Sequence, residues 1–503
     1  MKLEPIIGLE IHIQLKTNSK MFCSCPNNGE TKPANTTICP ICLGHPGVLP
    51  VVNKGAIDQA LLLSLALNFK INKDSYFERK NYFYPDSPKG YQISQFEKPL
   101  AEDGYLLIDL DKGDKRIALE RLHLEEDAAK NFFQKNEVMV DYNRAGTPLA
   151  EIVTKPVISS PQEAKMFLQE LRLLTRYLGV SDADMEKGHL RCDANISLKP
   201  IVEEKYYPKT EIKNLNSFKA VEKALVYEIK RQTKLWQEGK APQYQSTRGW
   251  EEKTGITVEQ RSKEGSSDYR YFPEPDLPPI IIDKEYIKEI KSNLRELPHD
   301  KKHRFAKEYG LSLVDSAILV ESRDLSYYFE KVVSELRAWL QTLEGEGTEE
   351  EIWEQGKKKV VKLAYGWLTS ELFKLMNSAN QKITEIKITP ENFAEFITIV
   401  YKRLVNSTAA QIVLKEMFET GGDPSQIIEE KDLKQTKDSP QDRENYLKPI
   451  IEKIIKQNPE LVNEYRNGKT TLLKYFVGLV MKETKSKADP QIAEKMLEVR
   501  LME

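Results

Sequence analysis

The sequence of 503 residues lacks any apolar run of about 18 residues, the length that a membrane-spanning helix requires. Its first residues, MKLEPIIGLEIH, reach acidic and histidine side chains too early for a secretory signal peptide. From these two absences we expect a cytoplasmic protein without a membrane partner. At roughly 150 residues per domain, the length predicts about three domains.

The chain also lacks a large excess of charge of either sign, because its 75 basic and 77 acidic residues give a net charge of −2. Domains that bind nucleic acid are often strongly basic overall, so any contact with RNA must use a local patch. Lys482, Lys485 and Lys487 form one such cluster. Clusters of this kind bind phosphate backbones without reading base sequence. A solvated helix end explains these lysines equally well.

Several motifs for nucleotide binding and acyl transfer are missing. Gly468, Lys469 and Thr470 match the end of a P-loop, but Asn463 stands where its first glycine is required. The surrounding pattern is helical, whereas a P-loop follows a strand. There is no G-x-S-x-G elbow and no Ser-Ser-Lys signature of an amidase. A reaction that draws ammonia from glutamine would therefore need another chain to release it.

Cysteine is scarce, with five in the chain, yet four cluster in residues 23–42: Cys23, Cys25, Cys39 and Cys42. One C-x-C pair and one C-x₂-C pair suit tetrahedral Zn²⁺ held by four thiolates. Disulfides are rare in a reducing cytoplasm. We predict a structural zinc site, with free thiols and redox chemistry as alternatives. Cys192 falls on the apolar face of its strand, where a core position is expected.

Period-two alternation, tyrosine, proline and glycine dominate the first part of the chain, and amphipathic helical patterns follow. We therefore predict a multidomain α+β protein. The expected parts are a β-rich domain over 1–291, a helical domain over 292–406 and a helical tail over 407–503.

In each of four predicted strands, polar and charged side chains occupy alternate positions and therefore lie on one face. These faces carry Glu10, His12 and Gln14; His123, Glu125 and Asp127; Asp193, Asn195 and Ser197; and Lys209, Glu211 and Lys213. A solvated sheet face explains any one strand alone. The recurrence of acids favours a Mg²⁺ site, since hard cations take oxygen ligands and leave positions for substrate phosphates. The pattern does not establish that the four strands are neighbours.

Two further segments have the composition of a nucleotide site. DYNRAGTPLAEIVTKP at 141–156 contributes Arg144 and Glu151 among β-forming residues. The loop at 82–95 offers Ser87, Lys89 and Ser94 together with three tyrosines that could stack on a base. A tyrosine- and proline-rich turn without a ligand is the alternative for this loop.

Six motifs in order resemble the GatB family, whose members are one of the chains of the tRNA-dependent amidotransferases. They are GLEIH (8–12), HLEED (123–127), PLAEIVT (148–154), MEKGHLRCDANIS (185–197), KTEIKNLNSF (209–218) and DYRYFPEPDLPP (268–279). The tail at 465–490 is similar to the YqeY-like domain of that family, although Leu479 and Ser486 depart from its pattern.

The resemblance implies a cradle-like catalytic domain, a helical domain and a YqeY-like tRNA-binding tail. It implies phosphorylation by ATP and Mg²⁺ of the side-chain carboxylate on Glu-tRNA(Gln), Asp-tRNA(Asn) or both, followed by amidation. An amidase subunit would supply the ammonia, and a small third subunit would complete a heterotrimer. Some members of the family also carry a four-cysteine cluster.

The resemblance also assigns residues. It implies catalytic roles for Glu10, His12, Glu125 and Glu151, and Mg²⁺ binding by these four with Asp193 and Glu211. It implies ATP contacts from Ser87, Lys89, Ser94 and Arg144, and tRNA contacts from Lys482, Lys485 and Lys487.

Two other functions fit parts of the sequence. A non-catalytic protein that binds zinc and RNA would explain the cysteines and the lysine-rich tail, but not the acids on successive strands. A free-standing ligase that joins a small carboxylic acid to an amine would explain the acids. It would differ from the amidotransferase in turning over ATP without charged tRNA.

Overall fold

Alternation of apolar and polar residues forms the longer strands of the N-terminal part of the chain. The computed structural model describes residues 2–111, 113–135, 137–263, 268–341, 348–434, 440–484, 488 and 490–502. The chain divides into two units, Met1–Asp300 and Lys301–Glu503. The first unit contains the strands, and the second is helical.

The strands vary from two-residue pairings to segments of fourteen residues. They are β1 (Leu3–Gln14), β2 (Lys70–Ile71), β3 (Asp74–Ser75), β4 (Glu78–Asn81), β5 (Tyr91–Ser94), β6 (Ala101–Leu110), β7 (Gly113–Glu126), β8 (Lys130–Gln134), β9 (Glu137–Asp141), β10 (Pro148–Thr154), β11 (Leu190–Pro200), β12 (Thr210–Leu215), β13 (Gln245–Glu251), β14 (Ile256–Lys263), β15 (Phe272–Pro273) and β16 (Ile280–Ile281).

Within the described residues, a nine-stranded sheet has the order β14-β13-β12-β11-β1-β10-β7-β6-β2. Its pairings are antiparallel except for β12 with β13. Strand β1 lies near the centre, between β10 and β11, which follow it in sequence by more than a hundred residues. Smaller sheets join β15, β4 and β5, then β16 with β3, and β8 with β9.

Helices pack on one face of the large sheet, three directly and the fourth through the first of them. They are α1 (Lys54–Ala66), α2 (Pro161–Leu178), α3 (Phe218–Gln237) and α4 (Lys284–Ser292). Ser160 and Ser217 cap α2 and α3 by accepting hydrogen bonds from the backbone three residues on. The apolar sides of α1 to α3 pack on β7, β6 and β11, in a core with Leu9, Ile11 and Ile13 of β1. Glu10 and His12 alternate with these residues, so they face the opposite side of the sheet.

The second unit is built from amphipathic helices. Its helices, beginning with one that starts at the end of the first unit, are α5 (Pro298–Tyr309), α6 (Leu313–Leu319), α7 (Arg323–Gln341), α8 (Glu349–Trp367), α9 (Phe373–Ala379), α10 (Pro390–Tyr401), α11 (Ser407–Thr420), α12 (Pro424–Glu430), α13 (Pro440–Gln457), α14 (Pro459–Arg466), α15 (Leu472–Glu483) and α16 (Pro490–Met502). A π-helical turn, Leu368–Leu372, joins α8 to α9. Helices α13 to α16 share a core around Ile451, Phe476 and Leu497.

The predicted fold class is confirmed, since a β-rich part with a large sheet precedes a helical part. The domain boundaries at 291 and 406 stay predictions. Gly468 follows helix α14 rather than a strand, so the tripeptide at 468–470 lacks the setting of a P-loop. Among the described residues, no helix combines the length and apolar character needed to cross a bilayer.

The packing of α2 predicts how much the first unit is destabilised when a buried side chain of this helix is shortened. Leu168 is fully buried in the core shared by helix and sheet, and Gln169 beside it is exposed. We expect Leu168→Ala to lower the free energy of unfolding of this unit by about 2–5 kcal/mol, because the neighbours relax only partly around the lost side chain. Gln169→Ala is the matched control and should change it by less than about 0.5 kcal/mol. Chemical denaturation followed by far-ultraviolet circular dichroism measures both, and equal stability of the two variants would contradict this packing.

Candidate active site

The strands that carry the predicted acids are neighbours, in the order β12-β11-β1-β10-β7. The register sets Glu10 opposite Asp193, and His12 opposite Glu151. Glu151 in turn lies opposite His123 on β7. Directly opposed residues in antiparallel strands project to the same face of a sheet. The acids recognised separately on different strands therefore form one continuous polar surface.

A cavity of about 790 Å³ lies over this surface. Its lining includes six residues predicted from sequence: Glu10, His12, Ser94, Glu151, Asp193 and Glu211. Glu125 lies directly beside them, since it contacts both His12 and Ser94. Five of the six residues that were predicted to bind Mg²⁺ therefore line one cavity, and the sixth, Glu125, contacts two of its lining residues.

One part of the cavity holds a histidine–glutamate cluster, formed by His12, His123, Glu125 and Glu151. His12 Nε2 is 3.2 Å from a carboxylate oxygen of Glu125 and 3.4 Å from one of Glu151. His123 Nε2 is 3.1 Å from the same oxygen of Glu151. The hydroxyl of Ser94 donates a hydrogen bond of 3.3 Å to Glu125.

Charge within the cluster is strongly coupled. Burial alone lowers the pKa of His12, but hydrogen bonds to Glu125 and Glu151 outweigh it and raise that pKa to about 10. Burial raises the pKa of both glutamates, yet the hydrogen bond from His12 lowers that of Glu125 below its usual value. The charge of His123 and the contact with His12 hold the pKa of Glu151 well below its usual value. Both carboxylates are therefore ionised at neutral pH.

The cluster fits a divalent cation. One ligand atom each from His12, Glu125 and Glu151 lie within 4.8 Å of one another. Mg²⁺ is typically held by one or two carboxylates, with water and phosphate oxygens completing its shell. An imidazole nitrogen is a less usual ligand for Mg²⁺ than for softer divalent metals, so the carboxylates would dominate binding. To serve as a ligand, His12 must first give up its proton.

A second acidic group lies along β1, β11 and β12, and it is already paired with protein donors. Lys213 Nζ is 2.6 Å from Asp193 and 3.1 Å from Glu211. The amide of Asn195 donates a 2.9 Å hydrogen bond to Glu10. Burial lowers the pKa of Lys213, but the two carboxylates outweigh it and raise that pKa. Asp193, Glu211 and Glu10 thus line the same cavity as His12 but have partners other than the histidines.

Cationic side chains line the same cavity, and two of them had no signal in the sequence. Lys80 lies on the short strand β4, with its ammonium 5.1 Å from the centre of the Tyr269 ring. Burial lowers its pKa, but the negative charge of Glu125 contributes to a net rise. Arg121 packs its guanidinium against Phe96. Neither residue belongs to a recognisable motif. A lone Lys or Arg in a strand is usually solvated, so its presence in the sequence does not indicate a binding site.

The beginning of the motif at 268–279 lines the cavity. Asp268, Tyr269, Arg270 and Tyr271 all contribute to the lining. Tyr271 stacks on Phe96 with 4.4 Å between ring centres. Pairing of β15 with β4 anchors the segment beside Lys80.

The predicted ATP contacts separate into two sets. Ser94 lines the cavity, whereas Ser87, Lys89 and Arg144 are not among its lining residues. Lys89 forms a 2.6 Å ion pair with Glu126, and the Ser87 hydroxyl donates to the Tyr91 carbonyl at 3.3 Å.

Arg144 donates to the carbonyls of Ala128 and Ala129 at 3.0 and 2.9 Å. The contacts of these three residues hold loops together. Their assignment to ATP stays a prediction.

The four clustered cysteines converge, with their sulfur atoms within 4.8 Å of one another. Cys39 and Cys42 Sγ are 3.9 Å apart. Two Zn–S bonds of ~2.3 Å at the tetrahedral angle would separate the sulfurs by about 3.8 Å. The hydrogen bond with Cys23, with further help from the charge of Lys20, lowers the pKa of Cys42 to about 5 against the effect of burial. The quartet therefore fits a structural metal such as zinc.

The basic cluster of the tail is only partly described. Lys482 is exposed near the end of α15, while Lys485 and Lys487 lie outside the described residues. Cys192 is buried on β11 as expected, with its pKa raised by burial.

Comparison with known proteins matches the whole length. Residues 5–288 match the model of the GatB/GatE catalytic domain, and residues 350–501 match that of the GatB domain named GatB_Yqey. The chain is similar to proteins named as the B subunit of aspartyl/glutamyl-tRNA(Asn/Gln) amidotransferase. It is 45% identical to those of Thermotoga maritima and Persephonella marina, over 99% of each chain. For Carboxydothermus hydrogenoformans the identity is 43%, over 99% of this chain and 98% of the relative.

The geometry of the cysteine quartet predicts one zinc ion per chain. Protein purified without chelators should contain about one equivalent of zinc by plasma mass spectrometry, because four thiolates form a closed tetrahedral site. Cys25→Ser should lose most of it. Cys192→Ser is the matched control and should retain it, since Cys192 is remote from the quartet in sequence and absent from the cluster. Equal zinc contents in the two variants would contradict a site built from the quartet.

Proposed function

The chain belongs to the GatB family, and from this membership we propose that it is the GatB-type chain of a tRNA-dependent amidotransferase. Its proposed substrates are Glu-tRNA(Gln), Asp-tRNA(Asn) or both, and its products are the corresponding Gln-tRNA and Asn-tRNA. The full-length similarity to relatives named for both substrates supports this proposal. We also propose a cytoplasmic location, where aminoacyl-tRNA is used.

The observation that carries the proposal is the contact of His12 with both Glu125 and Glu151 inside a cavity that also contains Lys80 and Arg121. Ionised carboxylates suit a divalent cation, and the nearby cations suit phosphate oxygens. A carboxylate substrate needs such a site because its oxygen is a poor leaving group until it is phosphorylated. The cavity supports activation of that carboxylate by ATP.

In the first step, an oxygen of the substrate side-chain carboxylate attacks the γ-phosphorus of ATP. The bond from that phosphorus to the β–γ bridging oxygen breaks, and ADP leaves with the bonding electrons. Mg²⁺ held by His12, Glu125 and Glu151 would neutralise charge on the phosphoryl oxygens. Lys80, Arg121 and Arg270 orient the phosphates and stabilise their negative charge from the protein side.

In the second step, the lone pair of ammonia attacks the acyl carbon, and inorganic phosphate leaves. The nitrogen sheds a proton as the amide forms, and the carboxylate of Glu10 is our candidate to accept it. Exclusion of water from the cavity once the substrates are bound would protect the acyl phosphate from hydrolysis before ammonia arrives.

We further propose that the chain acts in a heterotrimer with an amidase subunit and a small third subunit. The amidase would release ammonia from glutamine. The lack of a Ser-Ser-Lys signature in this sequence supports an external source. The relatives are themselves named as one subunit of an amidotransferase, which also supports a complex of several chains.

Amide formation tests this function directly. Radiolabelled Glu-tRNA(Gln) and Asp-tRNA(Asn) are incubated with ATP and Mg²⁺, first with ammonium chloride and then with glutamine, with and without the partner subunits. We expect amidation to require this chain and ATP, and glutamine use to require the amidase. Binding of tRNA by an intact complex without amidation from either nitrogen source would favour a protein that only binds zinc and RNA.

The histidine–glutamate cluster predicts a loss confined to the ATP-dependent reaction. Glu151→Gln and Glu125→Gln should each lower the amidation rate by at least a hundredfold, because each removes a negative ligand while nearly preserving shape. Glutamine hydrolysis by the partner should persist. Glu285→Gln removes an exposed carboxylate from α4 and is the control with unchanged amidation. Normal amidation by both cluster variants would remove them from the site.

The YqeY-like region predicts a separate loss of tRNA affinity. Deleting residues 407–503 should weaken tRNA binding more than ATP binding, since the cavity for phosphates lies wholly within residues 1–300. Filter binding with tRNA and calorimetry with ATP measure the two affinities, and circular dichroism checks that the first unit stays folded. Unchanged tRNA affinity in the folded truncated chain would contradict this role.

A further inference from the structure

A second cavity, of about 330 Å³, adjoins the first along strand β1. The two share four lining residues: Glu10, Val153, Lys209 and Gln245. The smaller cavity continues from these towards Gly8 and Ile6, away from His12. At ~3.3 Å per residue, Gly8 is roughly 13 Å from His12 along the strand. That span is comparable to the reach of an extended nucleoside triphosphate from its γ-phosphate to its base.

The floor of this side cavity, at Gly8, exists because that residue has no side chain. A Cβ built on Gly8 would meet Thr154 and Pro156 at ordinary distances of 3.8–3.9 Å. The backbone there has no positive φ that would require glycine. Glycine at this point of β1 therefore leaves space above the sheet that a larger side chain would occupy. Ile6 and Val153 add apolar surface to the lining.

The side cavity also contains a buried acceptor without a donor. Asn195 lies opposite Gly8 on β11, and only 7% of it is exposed. Its Nδ2 donates to Glu10, while its Oδ1 has no hydrogen-bond partner in the described part of the chain. A buried, unpaired amide oxygen costs free energy unless a ligand supplies a donor. The exocyclic amino group of adenine is such a donor, whereas guanine presents an acceptor at the equivalent position.

An aromatic side chain lies at the same cavity. Tyr206 is 64% exposed and has no ring partner among the described residues. The neighbouring Tyr207 is fixed instead, because its hydroxyl donates to Glu203 and its ring packs edge-on against Trp236. An exposed tyrosine at an apolar cavity is suited to stacking on a base.

We propose that the cavity at Gly8, Asn195 and Tyr206 binds an adenosine whose phosphate-linked end extends towards the histidine–glutamate cluster. The inference rests on the proposed function, in which two substrates carry adenosine: ATP, and tRNA at its 3′ end. Both sources present the same chemistry to this cavity. The Asn195 oxygen accepts a hydrogen bond from the adenine amino group, Tyr206 stacks on the ring, and the bare backbone at Gly8 makes room for the base.

Binding to the full-length chain tests the inference in two arms. The first arm measures affinity for Mg·ATP and for Mg·tripolyphosphate, which has the phosphates but no base. The second measures affinity for an RNA hairpin ending in CCA and for the same hairpin ending in CC. The variants are Gly8→Val, which fills the cavity with a side chain suited to a strand, and Tyr206→Ala, which removes a surface ring. Tyr244→Ala is the control, since Tyr244 is also 64% exposed and lines neither cavity.

If the adenosine comes from ATP, Tyr206→Ala weakens ATP binding by roughly 5- to 150-fold, the range for loss of a base–aromatic stack. Gly8→Val also weakens ATP binding, because its side chain occupies the space of the base. Tripolyphosphate affinity then stays at the wild-type value. If it comes from tRNA, both variants lower the preference for the CCA hairpin over the CC hairpin and leave ATP binding unchanged. If Gly8→Val and Tyr206→Ala both bind every ligand in the two arms as the wild type and the Tyr244→Ala control do, the inference is overturned.

Failure of the inference can be separated from failure of the proposed function. Amidation of charged tRNA by the wild-type chain with its partners is measured in parallel. Amidation by the wild type, together with unaltered binding by both variants, overturns only the adenosine site. Loss of adenosine-dependent binding in the variants supports the site even where the wild type forms no amide.

Discussion

The site depends on the register in which β1 pairs with β10 and β11. A shift of one residue in an antiparallel pair moves every side chain to the other face of the sheet. Here such a shift would bury Glu10 and His12 against α1 to α3 and expose Ile11 in the cavity. The fully buried row of Leu9, Ile11 and Ile13 makes that shift costly. The hydrophobic core on one face thus fixes the polar chemistry on the other.

That constraint explains the distribution of charge. Although the net charge of the chain is only −2, one cavity is lined by several acidic and several cationic side chains. The acids divide between the cluster around His12, which suits a cation, and the group around Lys213, which is neutralised within the protein. The proposed site for a metal–phosphate complex would therefore operate without an overall field that attracts nucleic acid indiscriminately.

Sequence periodicity predicted which residues face the cavity, because alternation in a strand is a local property. It identified Glu10, His12, Asp193 and Glu211 on the correct face. It did not predict strand order, because Glu10 and Asn195 meet across 185 residues of chain and local patterns carry no information about such pairings. The GatB motifs supplied that missing link through resemblance.

Side-chain partners were the other limit of sequence reasoning. Lys80 and Arg121 line the cavity from positions outside any motif. Lys89 and Arg144 lie in segments with the composition of a nucleotide site, yet their partners hold loops together. A lysine that binds a phosphate and a lysine that pairs with a glutamate cannot be distinguished by residue type. Only the three-dimensional arrangement distinguishes them, and the same is true of the bare backbone at Gly8.

Transfer of oxygen from the substrate to phosphate would test the central claim most directly. Glu-tRNA(Gln) or Asp-tRNA(Asn) is prepared with ¹⁸O in its side-chain carboxylate and amidated by the complex with unlabelled ATP and ammonium chloride. Activation by phosphorylation predicts one ¹⁸O atom in each inorganic phosphate released, as measured by mass spectrometry. Phosphate free of ¹⁸O, formed together with the amide, would show that the carboxylate is activated in another way and would contradict this account.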